Sequence, residues 1–521
     1  MMLFLALLAL ASCGAPNKQS KNVLPTPRTA EPRYGGTFRM IMRSSPTGLS
    51  PPATVGPEDM LAVVPAVEKL MDVSPDRSEG NGLEPVLAEK VEEDVAHNRI
   101  VFYLRKGVRF HDGSELNADV VIWNFQVRGP VQYSEYLKGI TKIDDMTVQF
   151  EYTEYSNQLL QSWGFMPIFS EAAWERASGG DAEKGYEWSR THCVGTGPFM
   201  LQDYQVDDHI TWVKNPDYWR KGEPYLDGIE YTFVPDATTA RMMMLAGEAD
   251  YWGGWYDKEL DDDGFTVLHS WLGLSFNIWP NTADPDSRWT DIRLREALEY
   301  AIDKPAIAEI FNTIQAPDTW VPMTMMAPPG EWGFDPEYPT RTYNPEKARQ
   351  LLAEAGYADG LDVKILMGSD QGSRDFGALL KFYLDEVGMR VTLDLADPGR
   401  FYSTVYGANP GPDLSVMYSG MDTNYLVTYM RWFSTDPLTN LSYLGHTPEQ
   451  AALDEEAQEA FSVADQKIVT EKLVSYLSDN ALIIPIIWYP ISSMAAPKVH
   501  MPNESPKGGR WLPGETWLEE K

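Results

Sequence analysis

The sequence predicts an α/β protein of more than one domain, on three observations. The chain has 521 residues and 43% hydrophobic content, enough for two or three domains with filled cores at roughly 100–200 residues each. From Asn344 to Leu395 it spells helix, strand, helix, strand, and a strand–helix–strand unit requires a parallel or mixed sheet with helices on its faces. Between His209 and Ala246 the chain again passes from alternating strands to a helix.

Taken in order, Met1 to Ala11 is apolar and ends Leu10-Ala11-Ser12-Cys13-Gly14. That run is shorter than the ~20 residues of a membrane-spanning helix. It fits a signal-peptide core with small residues before the cleavage point. Residues 14–33 are rich in Pro, Thr, Ser, Asn and Lys and read as a flexible tether. The folded part begins at Tyr34-Gly35-Gly36-Thr37-Phe38-Arg39-Met40, a Gly-Gly turn and an alternating strand. A Pro- and Gly-rich loop follows (Ser45 to Met60), then an apolar stretch read as helical, Leu61 to Met71.

The block from Gly82 to about Arg190 centres on LRKGVRFHDG, Leu104 to Gly113. Ile100 to Leu104 reads as a strand, Arg105-Lys106-Gly107 as a turn, and Val108 with Phe110 as a second short strand. A helix opens near Asn117 and carries Val120, Val121, Trp123 and Phe125. Ile140 to Tyr152 forms a hairpin-like pair around Asp144-Asp145. The block reads as a smaller inserted domain. His111 beside Asp112 resembles a catalytic pair, but Asp-Gly is a turn dipeptide and no second His lies at triad or metal spacing.

VGTGPF, Val194 to Phe199, lacks the Gly-Lys-Ser/Thr of a phosphate loop and precedes a strand. Gly195 and Gly197 are expected to permit a tight crossing between domains. Strands at His209–Val213 and Gly228–Phe233 precede a helix, Thr238–Ala246, whose Met242 to Leu245 are expected to face a sheet. LGLSFNIW, Leu272 to Trp279, is a strand leaving this domain. Helices follow at Asp291–Ile302 and around Pro305, and Asn344 with Pro345 caps the next. Leu361, Val363, Ile365 and Met367 alternate, a helix runs from about Arg374 to Gly388, and Arg390 to Leu395 is its partner strand. Glu471 to Ser478 is helical, and ALIIPIIW, Ala481 to Trp488, is a buried strand too short to span a membrane.

A formal net charge of −33 argues against a nucleic-acid face and against a polybasic membrane surface. The 17 Trp and 26 Tyr suit a cleft for organic ligands as well as core packing. Of the two Cys, Cys193 reads as a small buried hydrophobe. The seven His are scattered singly, so no preformed metal site is expected. No Ser-His-Asp order, HExxH, CxxC or Walker pattern is present, and neither catalysis nor a cofactor is expected.

Three segments in fixed order carry a resemblance. They are Gly82 to Gln126 around LRKGVRFHDG, the run HITWVKNPDYWRKGEPYLDGIEYTFVPDATTARMMMLAGEADYW after VGTGPF, and Tyr343 to Leu395. With YGGTFRM they resemble the peptide-type (family 5) solute-binding proteins of ABC importers. Leu10-Ala11-Ser12-Cys13 resembles a bacterial lipobox. The resemblance implies an α/β, periplasmic-binding-protein-like fold (cluster C, type II), two lobes with a hinge and an inserted smaller subdomain. Its expected parts are a signal peptide with lipobox at 1–13 and a tether at 14–33. Lobe one takes 31–71, 191–276 and 486–521, the inserted subdomain 72–190, and lobe two 277–485. It implies a monomer outside the cytoplasm, in the periplasm or at the cell surface, anchored to the membrane through lipidated Cys13. It would deliver an oligopeptide-like solute to ABC permease and ATPase subunits. A receptor for an oligosaccharide is the alternative within the family, and a secreted glycosidase using two carboxylates is the alternative from another class.

In peptide-binding relatives an acidic residue after a lobe-two strand pairs with the peptide's amino terminus. The matching stretch here is Leu414 to Tyr425, and Asp422 falls at the carboxylate position. The family pattern continues with Tyr and then Asp-Pro, whereas this chain reads Thr423-Asn424-Tyr425. Tyr418 and Trp279 are further candidates, and Arg431-Trp432 suits gripping a carboxylate and stacking on an organic group. Trp252 and Trp255, flanking Gly253-Gly254, suit an aromatic wall. For each, core packing or a surface ion pair is the competing role.

Overall fold

In the computed structural model the described residues are 31–51, 57–74, 81–127, 134–254, 256–314, 317–406, 412–420, 422–435, 444–501 and 511–519. The expected signal peptide, most of the tether, Cys13 and Trp255 lie outside them.

One mixed sheet runs through the molecule. In spatial order its strands are Phe199–Gln205, His209–Lys214, Gly228–Phe233, Thr37–Met42, Tyr251–Trp252, Ile484–Ala495, Thr266–Pro280, Leu414–Gly420, Leu361–Gly368 and Met389–Ala396. The short strand Val321–Pro322 pairs with Ile484–Ala495 off this path. The two long central strands, Thr266–Pro280 and Ile484–Ala495, are antiparallel and belong to both halves. Their ladder pairs Thr266 to Ser270 with Ala495 to Ile491, slips between Ser270 and Leu274, and resumes as Leu274 to Ile278 against Tyr489 to Ile484.

Period-two alternation sets the cores on the faces of this sheet. Along Thr37–Met42, Phe38, Met40 and Met42 enter one core while Ile41 enters another with Ala240, Met244 and Trp252. Along Thr266–Pro280, Phe276 and Ile278 pack with the helices Ile292–Ala301 and Gln371–Glu386, whereas Trp279 faces the opposite core with Met417 and Tyr429. The strand–helix–strand unit is as expected: Leu361–Gly368 and Met389–Ala396 pair in parallel, Leu361 opposite Met389. Asn344 caps its helix, accepting at Oδ1 from Lys347 N.

The smaller block has its own four-stranded antiparallel sheet, in the order Ala88–Asp94, Arg99–Leu104, Thr147–Tyr152, Leu137–Asp144. The helix Ala118–Val127 covers it around a core of Ile100, Phe102, Val121, Phe150 and Trp163. Three local expectations fail. Val108 and Phe110 are buried but join no ladder, because left-handed turns at Gly107 and Gly113 curl the chain on either side. Leu61 to Met71 is not one helix: the helix Pro57–Val63 stops before Pro65, and the strands Glu68–Lys69 and Met71–Val73 follow. Of Met242 to Leu245 only Met244 is buried, while Met242 is 58% exposed, as helical spacing sends neighbours to different faces.

The motif at His111 is a structural clasp. The Nε2–H of His111 donates to the Gly197 carbonyl at 3.0 Å, and Gly195 N–H donates to Nδ1 at 3.3 Å. These two bonds assign the neutral tautomer. Asp112 accepts from Ser114, Ser170 and Arg176. VGTGPF in turn runs against Pro65-Ala66, with Gly197 N–H donating to the Ala66 carbonyl at 2.9 Å. A Cβ on Gly197 would sit 2.6 Å from the Ala66 carbonyl carbon, so the close crossing requires glycine. Cys193 is buried beside it, and that burial raises its thiol pKa.

Two outcomes are expected. Gly197→Ala should lose about 1–3 kcal/mol in urea denaturation through overpacking against backbone. Gly139→Ala, with nothing within 4 Å of the new methyl, should stay within about 0.5 kcal/mol of the parent protein. Burial also holds the His111 imidazole down to about 4, against an ordinary 6.5. The unfolded chain therefore takes up a proton that the fold refuses as pH falls below 6.5. Stability from this site should be fully present above pH 6.5 and decline toward pH 4. His111→Gln should flatten that part of the melting-temperature profile, and an unchanged profile would refute the assignment.

Candidate functional site

Asp422 sits where the strand Leu414–Gly420 ends and before the helix Tyr425–Trp432. Asn424 caps this helix, its Oδ1 accepting from Val427 N. The cap is the short-range reason that the chain turns here. Asp422 N–H donates to Thr428 Oγ1 at 2.9 Å, which fixes the turn from the other side. The carboxylate is 7% exposed and accepts from Arg431 Nη1 at 2.9 Å. Arg431, two turns along the helix, lies with its guanidinium 4.8 Å over the Trp432 ring.

The loop is docked onto the smaller block. Gln161 Nε2 lies 3.5 Å from Asp422 Oδ1, and Thr423 Oγ1 donates to Gln161 Oε1. Asn424 Nδ2 donates to the Asn81 carbonyl at 3.1 Å. The backbone approaches so closely that a Cβ on Gly82 would stand 2.6 Å from the Thr423 carbonyl oxygen. Tyr155 meets Phe461 edge to face at 5.0 Å on the same side.

The structure brings Asp422, Arg431, Trp432 and Trp279 into one cluster. Trp279 is fully buried, 6.4 Å from the Trp432 ring and 5.3 Å from Phe433. The indole N–H groups of Trp279 and Trp432 have no hydrogen-bond partner among the described residues. Tyr418 is placed by its backbone, paired with Phe276. Trp252 is a correction. It lies on the strand Tyr251–Trp252, not on a loop, and is 6% exposed among Ile41, Met244, Leu260 and Met494. Strand alternation turns it into the core, so it forms no wall of a cleft.

The sequence reading missed several polar groups. Asn277, fully buried, donates from Nδ2 to Ser275 Oγ and Ser419 Oγ, each at 2.9 Å. Its signal was legible: a lone amide inside the apolar run LGLSFNIW is costly to bury unless it finds partners. Gln161 and Asn81 gave no signal, because only tertiary docking makes them neighbours of Asp422. Chemically, the cluster offers carboxylate, guanidinium, amide and indole groups between two blocks, a set suited to holding a polar organic molecule. Among the described residues no three His, Cys, Asp or Glu side chains converge as metal ligands, and no helix is long and apolar enough to cross a membrane.

Comparison with known proteins gives the following. The family model of bacterial extracellular solute-binding proteins, family 5 Middle, matches residues 82–440. Heme-binding protein A of Haemophilus influenzae is 28% identical over 75% of this chain and 76% of its own. Oligopeptide-binding protein AppA of Bacillus subtilis is 25% identical over 79% of each chain. Among solved structures, HbpA2 from Haemophilus parasuis superposes with a TM-score of 0.79 at 23% identity, covering 93% of this chain and all of that one, a likeness of fold.

Arg431→Ala should destabilise the protein by about 1.5–3 kcal/mol, the range for a hydrogen bond to a charged group. The Asp422 carboxylate would lose its guanidinium while remaining enclosed. Arg431→Lys should recover part of that loss. Urea titrations of the three proteins check both statements.

Proposed function

The chain belongs to the bacterial extracellular solute-binding proteins of family 5, and on that premise we propose that it captures an oligopeptide-like solute between its lobes and delivers it to an ABC importer. Members of the family are extracytoplasmic transport binding proteins and not enzymes, so the glycosidase reading is set aside. The fold is the two-lobe α/β fold of periplasmic binding proteins.

The observation that carries the proposal is the docking of the Asp422–Asn424 loop on Gln161, Asn81 and Gly82. Side chains from distant parts of the sequence meet across one cleft, while among the described residues only strands at the centre of the sheet run through both halves. That is the arrangement needed for hinge closure, in which a solute stabilises the state it touches on both sides. We assign 31–71, 191–276 and 486–521 to lobe one, 277–485 to lobe two and 72–190 to the inserted subdomain. Delivery to permease and ATPase subunits, a monomeric state and a lipid anchor on Cys13 belong to the same proposal.

The relatives' names span heme and oligopeptides, so the ligand class is argued from the cleft. An oligosaccharide wants exposed aromatic platforms. Trp279 is fully buried and Trp252 lies in a core, which favours the peptide-like solute. Asp422 holds the loop through Arg431 and Gln161, and Trp432 with the Arg431 guanidinium stacks on the bound solute.

Thermal melts with defined tripeptides and with maltotriose test the class. A ligand present at 100 times its Kd adds about 2.7 kcal/mol to unfolding. Peptides should raise the melting temperature and maltotriose should not, and the reverse pattern would overturn the peptide reading. Cys13→Ser should move the protein from the membrane fraction to the soluble fraction.

A further inference from the structure

We propose that the protein holds a second small-molecule site, outside the cleft between the lobes, which takes a small apolar amino acid as its zwitterion. Arg220 meets the carboxylate and Glu223 the ammonium. The site goes beyond the solute reading above and does not depend on it.

It is a cavity of about 50 Å³ where the strand Glu68–Lys69, the side chains of Tyr218, Arg220 and Glu223, and the segment Trp511 to Gly514 meet Val86 of the smaller block. At about 10–15 Å³ for each water, that is room for roughly three to five water-sized groups, about the size of glycine or alanine. Val67, Val86 and Trp511 supply apolar wall.

Among the described residues five charged side chains line the cavity, and three of them are accounted for. Lys69 and Asp72 pair with each other at 3.1 Å. The Glu68 carboxylate accepts from Trp219 Nε1 at 2.7 Å, Thr196 Oγ1 at 2.8 Å and Tyr218 Oη at 2.9 Å. One cation and one anion are left. Among the described residues the Arg220 guanidinium makes no hydrogen bond and no ion pair, and its Nε is enclosed without a partner. No donor or cation among them touches the Glu223 carboxylate. The two opposite charges thus line one cavity without meeting.

Both groups are held in place. The Arg220 guanidinium lies 4.8 Å over the Trp219 ring, which also carries the Arg105 guanidinium at 4.7 Å. The indole N–H is spent on Glu68, so the ring is fixed and the stacked guanidinium keeps one orientation. Glu223 is packed against Gly514, where a Cβ would stand 2.5 Å from its Oε2.

This charge pattern selects the ligand. Glu68, Glu223 and Glu515 all put negative charge near Arg220, which disfavours a simple anion. A simple cation would leave the guanidinium unsatisfied. A carboxylate and an ammonium on one carbon answer both groups at once. The carboxylate accepts paired bonds from the guanidinium, and the ammonium brings three donors to Glu223. The apolar wall and the volume admit a methyl group and little more. Stacking of Arg220 on Trp219 also serves packing, and water also fills such a cavity, but neither role responds to an amino acid.

The test titrates the full chain by calorimetry with L-alanine, propionate and ethylamine. The parent protein should bind L-alanine with a Kd below ~1 mM, and each half molecule at least ~10-fold more weakly. Arg220→Gln and Glu223→Gln should each weaken L-alanine binding ~10–150-fold, the range for a hydrogen bond to a charged group. Arg220→Lys keeps the charge without the fork and should recover part of the loss. Exchanging L-alanine for propionate should cost the parent protein affinity and cost Glu223→Gln almost none, which places the ammonium at that carboxylate. Should a glutamine variant fail to fold, Arg220→Lys and the half molecules on the parent protein still decide the question. Absence of L-alanine binding to the parent protein, or binding unchanged in both glutamine variants, overturns the inference. Either result leaves the transport reading standing, since the tripeptide melts test that separately.

Discussion

The antiparallel ladder between Thr266–Pro280 and Ile484–Ala495 is the constraint on which the rest depends. Among the described residues it is the only part of the sheet shared by both halves, and every other strand of that sheet is added to one side of it or the other. The ladder is interrupted between Ser270 and Leu274, opposite the turn of register at Tyr489 and Ile491. Gly273 lies there directly against the Trp488 indole, where a Cβ would collide with the ring. A slip of this kind loosens the backbone pairing locally while the flanking pairs hold register. The same two strands thus join the lobes and provide the place where their relative angle can change.

Lobe one is fastened to this ladder by charge. Asp250 is fully buried and bonds Arg39 on the first strand and Lys498 beyond the second crossing strand, each at 2.8 Å. Burial opposes its ionisation, yet these partners keep its pKa below the usual carboxylate value. Removing one partner of such a group is far more damaging than the pair's net worth, because the remaining charge stays enclosed. On the other flank the His111 clasp on Gly195 and Gly197 fixes the smaller block to lobe one with uncharged groups, while the glycine crossing at Ala66 holds two segments of lobe one together. A block fixed in this way moves with lobe one, so its contact with the Asp422 loop becomes a contact across the cleft.

What the sequence disclosed follows from the range of the interactions. Asn344 with Pro345, the alternation from Leu361 to Met367, and the close backbone approach at Gly195 and Gly197 were legible because caps, pleats and close approaches act over a few residues. The strand Thr266–Pro280 was read as beginning at Leu272, since the earlier residues have no strong alternation and are held by pairing with Ile491 to Ala495. Trp252 was misplaced because Gly253-Gly254 suggested a loop, whereas neighbours on both sides make it a strand. Asp422 was found by position, but its ion pair was not, as nothing in nine residues of sequence says that Arg431 will turn back on it.

The cross-cleft bonds raise a question of balance. Three hydrogen bonds join the Asp422–Asn424 loop to Gln161 and Asn81. At about 0.5–1.5 kcal/mol each, they offset part of the cost of drying the cleft without any solute. On the proposed transport role, a closed form reached by the chain alone would tell a transporter nothing about occupancy. The signal therefore has to come from groups that closure leaves unsatisfied. A solute shifts the equilibrium only by its differential affinity for the closed form, and satisfying enclosed polar atoms is where that difference is largest. The Asp422–Arg431 pair supplies little of it, being already compensated. The amide of Asn157 supplies more, since neither its Nδ2 nor its Oδ1 has a partner among the described residues. On that role, a cleft whose enclosed polar atoms need a solute would resist full closure when empty, and that resistance would make the closed form a report on the ligand.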